Sequence, residues 1–385
     1  MHQSLRTIAI EGGYGRGNFG DDALMVAVYQ VATRVFETQS ITFLCPDSGY
    51  IQRILPGVKV VSSDRENRPI ADILLYGGGT QFYSFPLTSQ RGIRFLFKVI
   101  ARNALKPVCL GQKVYRKMME ASSPSSNLRV AAIGIGLGPF IENCNHMWRI
   151  KKMFSRMDYV AVRDVYSYDL CKKWGYNNVS LRSDLCYLPG LWKTGAPDTR
   201  MDNRIDEIKR VGIIIRDWPH TSEGDSYVGP LFQVVDELRS AGKDVEYISF
   251  ADSDSEWIKR LNDRDEQHKT WNPEKLAIVG FLELLSGYDA FITARYHGAV
   301  FASILGKPVI CIEVEQKLRL VSDLFGYGAR LWTYPFSTSE CLRHIYDIEG
   351  DYLRSVESMA RVVQEQGALA EKIVDELSKV YLHEL

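Results

Sequence analysis

The amino-acid sequence predicts an α/β protein built as two Rossmann-like halves facing each other across a cleft, with one long C-terminal helix. Three observations carry this. Short apolar runs ending in glycine or a charged residue alternate with helical patterns, as in a doubly wound parallel sheet. The alternation lapses into Gly, Pro and polar residues over 189–206 and then resumes. From Leu353 to Tyr381 apolar residues recur at steps of three and four, one stripe along a single helix. A length of 385 residues suits two cores better than one. The expected division is 1–190 for an N-terminal domain, 207–350 for a C-terminal domain, and a helix over 351–385 packing back onto the first.

The first strand is expected over 7–10. It feeds a loop with Gly12, Gly13, Gly15, Gly17 and Gly20, which permit positive φ and close backbone approach. Asp21 or Asp22 then caps a helix through Ala32. Such a loop at a helix N-terminus suits an anion or a sugar, and Asn18 and Asp21 are the polar candidates in it. It matches neither the dinucleotide fingerprint nor a Walker A sequence. Strands follow at 41–44, 58–61 and 72–76. The last enters a second glycine turn, Gly77, Gly78, Gly79 and Thr80, and the run 130–135 enters a third, Gly134, Gly136 and Gly138. The stretch 106–127 holds Lys113, Arg116 and Lys117 and then a Ser/Pro patch, which reads as a surface loop. After the strand 159–162, Arg163 and Asp164 read as a structural ion pair, and a helix is expected over 167–174.

The second half restarts with the apolar strand 211–215, which ends at Arg216 and Asp217. Residues 218–229 are polar, aromatic and Gly-containing, and His220 lies in this expected active-site loop. A helix over 231–241 leads to a strand over 245–250. The acidic run 252–267 reads as a solvated helix face without metal-site spacing. The element around which the half is organised is 291–312, FITARYHGAVFASILGKPVICI: strand, charged turn, slim helix, strand. Its turn holds Arg295, Tyr296 and His297, so a cation, an imidazole and free backbone N–H groups meet at one helix start. Beyond it come Glu313, Glu315, Lys317 and Arg319, and then a helix expected through Leu324.

Composition narrows the function. Lys plus Arg equals Asp plus Glu at 47 each, so no overall field favours nucleic acid. The seven cysteines are scattered, an odd number without a C-x-x-C pair, which suits buried thiols in a reducing compartment and argues against structural zinc. No apolar stretch approaches the roughly 18 residues of a membrane span, and no signal-peptide pattern opens the chain. A cytoplasmic protein is expected, without metal or cofactor.

Six segments in order, GRGNFGDDAL, YGGGTQF, IGIGLGPF, VRDVYSYDL, IIIRDW and TARYHGAVFASILGKPVI, resemble the polysaccharide pyruvyltransferases. The order makes the match specific, although each motif alone is weak. Two departures stand out: Tyr296-His297-Gly298 replaces a more usual Leu-His-Ala wording, and 106–127 has no clear counterpart. The resemblance implies a GT-B-like fold. It also implies transfer of a pyruvyl group from phosphoenolpyruvate to a sugar as a cyclic ketal, with release of phosphate. Phosphoenolpyruvate would then be the donor substrate, met by Arg216, Arg295 and the backbone near Tyr296, with His297 as the catalytic acid. Asn18, Asp21, Gly78, Gly79, His220 and Lys317 are the remaining acceptor-side or loop candidates.

This chemistry is consistent with the residue types. A small trianion favours guanidinium forks over point charges. Protonation at C3 of the enol requires an acid that works near neutral pH, a role suited to imidazole. The resemblance implies a sugar, glycan or lipid-linked oligosaccharide as acceptor. It leaves room for a homo-oligomer and for peripheral contact with a membrane. Arg91, Arg94, Lys98 and Arg102 beside Phe95 and Phe97 would serve such contact, although a solvated helix face explains them more simply. Two rival readings stand beside this one: a nucleotide-sugar-dependent glycosyltransferase of the same architecture, and a non-catalytic glycan-binding subunit.

Overall fold

The computed structural model describes residues 7–62, 71–84, 128–140, 145–192, 207–221 and 224–382. The surface loop expected at the Ser/Pro patch within 106–127, most of the linker and the basic patch at 91–102 lie outside these residues. The chain divides into two compact units: Met1–Arg16, Asp21–Leu191 and Gln366–Leu385 form the first, Gly17–Gly20 and Trp192–Glu365 the second.

Among the described residues the first unit holds seven strands: β1 (Ile8–Glu11), β2 (Ile41–Leu44), β3 (Lys59–Val61), β4 (Ile73–Phe82), β5 (Arg129–Leu137), β6 (Tyr159–Val162) and β7 (Val179–Leu181). They form one sheet in the order β3-β2-β1-β4-β5-β6-β7, every pair parallel. The helices among the described residues are α1 (Phe19–Val35), α2 (Ser48–Ile54), α3 (Asn145–Phe154) and α4 (Val165–Lys173). Strand order reverses between β1 and β4, and ligands of such sheets gather outside the strand carboxyl ends at that point. The glycine turn expected at 77–80 is instead the second half of β4. Gly78 and Gly79 hold φ of 63° and 73° within the strand, a region open to glycine, and Gly79 still pairs with Ile135 of β5. Gly134 and Gly136 likewise lie inside β5. The helix expected over 167–174 begins at Val165, because Asp164 caps it by accepting from the Ser167 N–H at 2.8 Å.

The second unit has β8 (Arg210–Ile215), β9 (Asp244–Ser249), β10 (His268–Thr270), β11 (Ala290–Thr293), β12 (Val309–Ile312) and β13 (Ala329–Trp332). Their order, β10-β9-β8-β11-β12-β13, is again all parallel, and it reverses between β8 and β11. Its helices are α5 (Val228–Ser240), α6 (Ser255–Asp263), α7 (Ile278–Ser286), α8 (Tyr296–Ile304), α9 (Gln316–Phe325) and α10 (Thr338–Gly350). The helix expected over 231–241 therefore starts three residues earlier. The acidic run forms α6, but the helix is not solvated all round: Trp257 and Leu261 are buried on its inner side.

Residues Gly17–Gly20 belong to the second unit for a physical reason. The Phe19 ring packs 4.7–5.1 Å from Phe250, Trp271, Phe281 and Phe301, and its N–H donates to Phe250 O. Aromatic pairs of this kind add about 0.5–1.5 kcal/mol each beyond area burial.

The last helix, α11 (Tyr352–Leu382), is shared between the units by sequence. Up to Glu365 it belongs to the second unit, where Tyr352 Oη donates to Asp289 O and Ser358 Oγ to Phe325 O. From Gln366 it belongs to the first, where Glu371 pairs with Arg34, and Glu376 with Arg182 and the Tyr159 hydroxyl. The helix over 351–385 is expected wholly on the first half, but its opening turns pack elsewhere because Tyr352, Ser355 and Ser358 find carbonyl partners in the second unit.

Candidate active site

In the second unit the strand-order reversal brings the ends of β8 and β11 together, and the candidate residues follow those two ends. Arg216 is the first residue after β8. Ala294 and Arg295 follow β11, and Tyr296 and His297 open α8. Glycine at position 298 lets this turn sit close to the sheet, since a Cβ there would meet Thr293 Oγ1 at 2.2 Å.

Arg295 is 8 % exposed. Its Nε donates to Ile215 O at 3.1 Å, and Nη2 forms a buried ion pair with Asp254. Asp254 also accepts from the Asp217 N–H and the Ser249 hydroxyl. The clamp role expected of Arg295 therefore meets a prior commitment: its guanidinium ties the ends of β8, β9 and β11 to one another. Asp254, assigned by the sequence reading to a solvated face, is the buried centre of that network.

Arg216 and Lys317 converge on Glu315, the residue before α9. Arg216 Nη1 pairs with the Glu315 carboxylate, and Lys317 Nζ lies 3.0 Å from it. Burial alone would raise the Glu315 carboxyl, but the two cations outweigh it and hold the group below the usual carboxylate range. Two cations around one carboxylate leave a net positive charge at the site. The Arg216 guanidinium also lies over the buried Trp218 ring, 4.2 Å from its centroid. Its carbonyl accepts from Tyr227 Oη and Trp257 Nε1, which fixes the backbone after β8. His220 stacks edge-on against Trp218, and burial followed by the Arg216 charge lowers its pKa. Asp217 is pushed up to about 6, by burial first and then by the Asp254 charge, against the Glu256 and Trp257 N–H groups that donate to it. Guanidinium, ammonium and imidazole are donors for an anion; of the carboxylates beside them, Glu315 is paired with both cations and Asp217 accepts from two backbone N–H groups.

His297 is half-buried, and its ring lies edge-on to Tyr296. The first glycine loop reaches it within the same unit. A Cβ at residue 20 would stand 2.3 Å from His297 Nδ1, so glycine there lets the loop close on the imidazole. Asn18 accepts from the Gly20 N–H at 3.1 Å and forms an antiparallel bridge with Ala251. Asn18 thus shapes the loop beside His297.

The other candidates, Asp21, Gly78 and Gly79, lie in the first unit. The Asp21 carboxylate rests against Gly13 and Gly79, 3.6–3.7 Å from where a Cβ would be on either. It therefore sits at the β1/β4 reversal, in a cradle of bare backbone. Its neighbour Asp22 is buried and accepts from the Tyr50 hydroxyl. Arg163 is buried on Asp184 at 2.8 Å and reaches Thr80, whereas Asp164 is 3.9 Å away and caps α4. Sequence reasoning missed Glu315, Asp254 and Asp184. The only signal for Glu315 was the charge alternation Glu313, Glu315, Lys317, Arg319 after β12.

Two parallel sheets of this order, each with candidate residues at its reversal, define an α/β protein of GT-B-like architecture. Solved structures agree. The chain resembles S. aureus MnaA in complex with UDP at TM-score 0.59 and 12% identity, over 99% of this chain and 98% of that one. Anabaena HepE in complex with UDP aligns at TM-score 0.56 and 13% identity, over 97% and 100%. The lipopolysaccharide outer core galactosyltransferase WaaB aligns at TM-score 0.52 and 13% identity, over 98% and 100%. No curated protein sequence matches the chain. The family model for polysaccharide pyruvyl transferases matches residues 18–316, and the chain belongs to that family.

Proposed function

We propose that this pyruvyltransferase takes phosphoenolpyruvate as donor in the second unit and forms a cyclic ketal on a sugar of a surface glycan or its precursor. The observation that carries the reading is the pair of cations, Arg216 and Lys317, gathered on Glu315 in the same unit as the His297 imidazole. The two cations meet the donor's phosphate and carboxylate, and His297 protonates C3. A sugar hydroxyl then attacks C2, phosphate departs, and a second hydroxyl closes the ring. The protons of the two hydroxyls balance the one gained at C3 and the one leaving with phosphate. Arg295, held by Asp254, acts as a positioning residue that fixes the turn bearing Tyr296 and His297. His220 and Trp218 wall the Arg216 side, Asn18 sets the loop against His297, and Asp21 in its glycine cradle contacts acceptor hydroxyls.

The UDP in the MnaA and HepE structures favours a second reading, a nucleotide-sugar glycosyltransferase. Family membership outweighs it, because those likenesses are near 12% identity and carry the fold alone. One assay separates the two. The protein is incubated with phosphoenolpyruvate or UDP-sugars across a glycan panel, and released phosphate, released UDP and acceptor mass are measured. Phosphate release matched to an acceptor gaining a pyruvyl group supports the proposal. UDP release with phosphoenolpyruvate inert overturns it.

A further inference from the structure

A groove of about 280 Å³ in the first unit plays no part in the chemistry above. One wall is the outer face of α3, with Trp148, Lys151 and Lys152; the other is the end of α4, with Trp174 and Tyr176. The second wall is rigid: Trp174 packs against Phe140 and Phe154, and Tyr176 Oη donates to Met157 O. Trp148 is 60 % exposed and has the Lys152 ammonium over its ring at 5.3 Å. Ile150 and Phe154 bury the opposite face of α3, so core packing does not require a large aromatic at 148. The charge is local as well. Residues 145–176 carry seven Lys and Arg against three Asp in a chain with no net charge, and Lys151, Lys152, Arg156, Lys172 and Lys173 are all exposed. Because α3 leads to β6 and α4 to β7, the groove runs toward the amino-terminal end of the strands. Asp21 and the glycine cradle lie at the carboxyl end.

We propose that this groove is a saccharide subsite for acidic sugar residues, which holds a glycan chain at a distance from the group being modified. A concave slot between aromatic walls fits a sugar ring, whose C–H face stacks on indole, and lysines at its rim fit a carboxylate. A flat lipid surface would contact the protruding Trp148 and the lysines but leave Trp174 and Tyr176 uncovered. The inference rests on the pyruvyltransferase reading only in expecting the acidic sugars to be those of the acceptor or product polymer. It implies that the acceptor is an oligosaccharide or polymer.

The test titrates the full chain by calorimetry with an oligosaccharide of alternating glucuronic acid and N-acetylglucosamine, with a neutral chitin oligosaccharide of equal length, and with phosphatidylglycerol vesicles. The acidic oligosaccharide binds, the neutral one binds at least about tenfold more weakly, and Trp148→Ala or the Lys151→Gln/Lys152→Gln pair weakens acidic binding about tenfold. Equal binding of the neutral chain, no saccharide binding, or binding to vesicles alone overturns the proposal. Phosphate release from phosphoenolpyruvate at a saturating concentration of an oligosaccharide acceptor is unchanged in these variants. Saccharide binding without any such release sinks the pyruvyl reading and leaves the subsite standing.

Discussion

The two units place opposite chemistry on the same topology. Each is an all-parallel sheet whose order reverses once, between β1 and β4 in the first and between β8 and β11 in the second. At the first reversal the chain offers the Asp21 carboxylate against the backbone of Gly13 and Gly79, with Gly78 packed on Leu24. At the second it offers Arg216, Lys317 and the His297 turn, with Arg295 braced beneath by Asp254. A parallel sheet brings loops to its strand ends, and the residues on those loops decide the ligand. Under the proposal, the Asp21 end takes the acceptor hydroxyls and the Arg216 end the phosphorylated donor.

This contrast can be broken at several points. The largest effect is expected from His297→Ala, which removes the proposed acid and lowers turnover by about 10²–10⁴-fold while donor binding persists; single-turnover rates and a donor titration check both halves. Arg295→Ala strands Asp254 in the interior and costs about 3–5 kcal/mol of stability, read by urea unfolding. A donor-binding loss at unchanged stability would instead return Arg295 to the clamp role. Gly20→Val forces a side chain onto His297 and costs about 1–3 kcal/mol by overpacking, with turnover falling further than stability.

The smallest effect concerns pH. The Asp217 carboxyl is raised from 3.8 to about 6 in the fold, so its contribution is full below 3.8 and is lost as pH rises through 6. Urea midpoints of wild type should fall relative to Asp217→Asn between pH 4 and 7, and parallel curves would refute the assignment.

Much of the fold was legible because its signals are local. Buried parallel strands read as apolar runs, as in 211–215 and 291–294, and glycine or charge marks their ends. Gly78 and Gly79 misled for a related reason: two glycines in sequence look like a turn, but left-handed φ inside a strand needs glycine too. β10 and β13, of three and four residues, were too short to show a period, whereas α10, with Cys341, Ile345 and Ile348 buried at helical spacing, carried a readable one that was passed over. At the site, Arg216, Arg295 and His297 were visible because they follow apolar strands. Their partners were not: Asp254 lies 41 residues from Arg295 and Glu315 lies 99 from Arg216. Tertiary folding alone converts an acidic run into a buried counter-ion.

The division of labour between the two reversals is tested most directly by titrating phosphoenolpyruvate into wild type, Arg216→Ala and Asp21→Ala by calorimetry. The account predicts that the donor binds wild type and Asp21→Ala alike and loses about tenfold or more in affinity with Arg216→Ala. Equal binding to Arg216→Ala, or loss with Asp21→Ala, would contradict it.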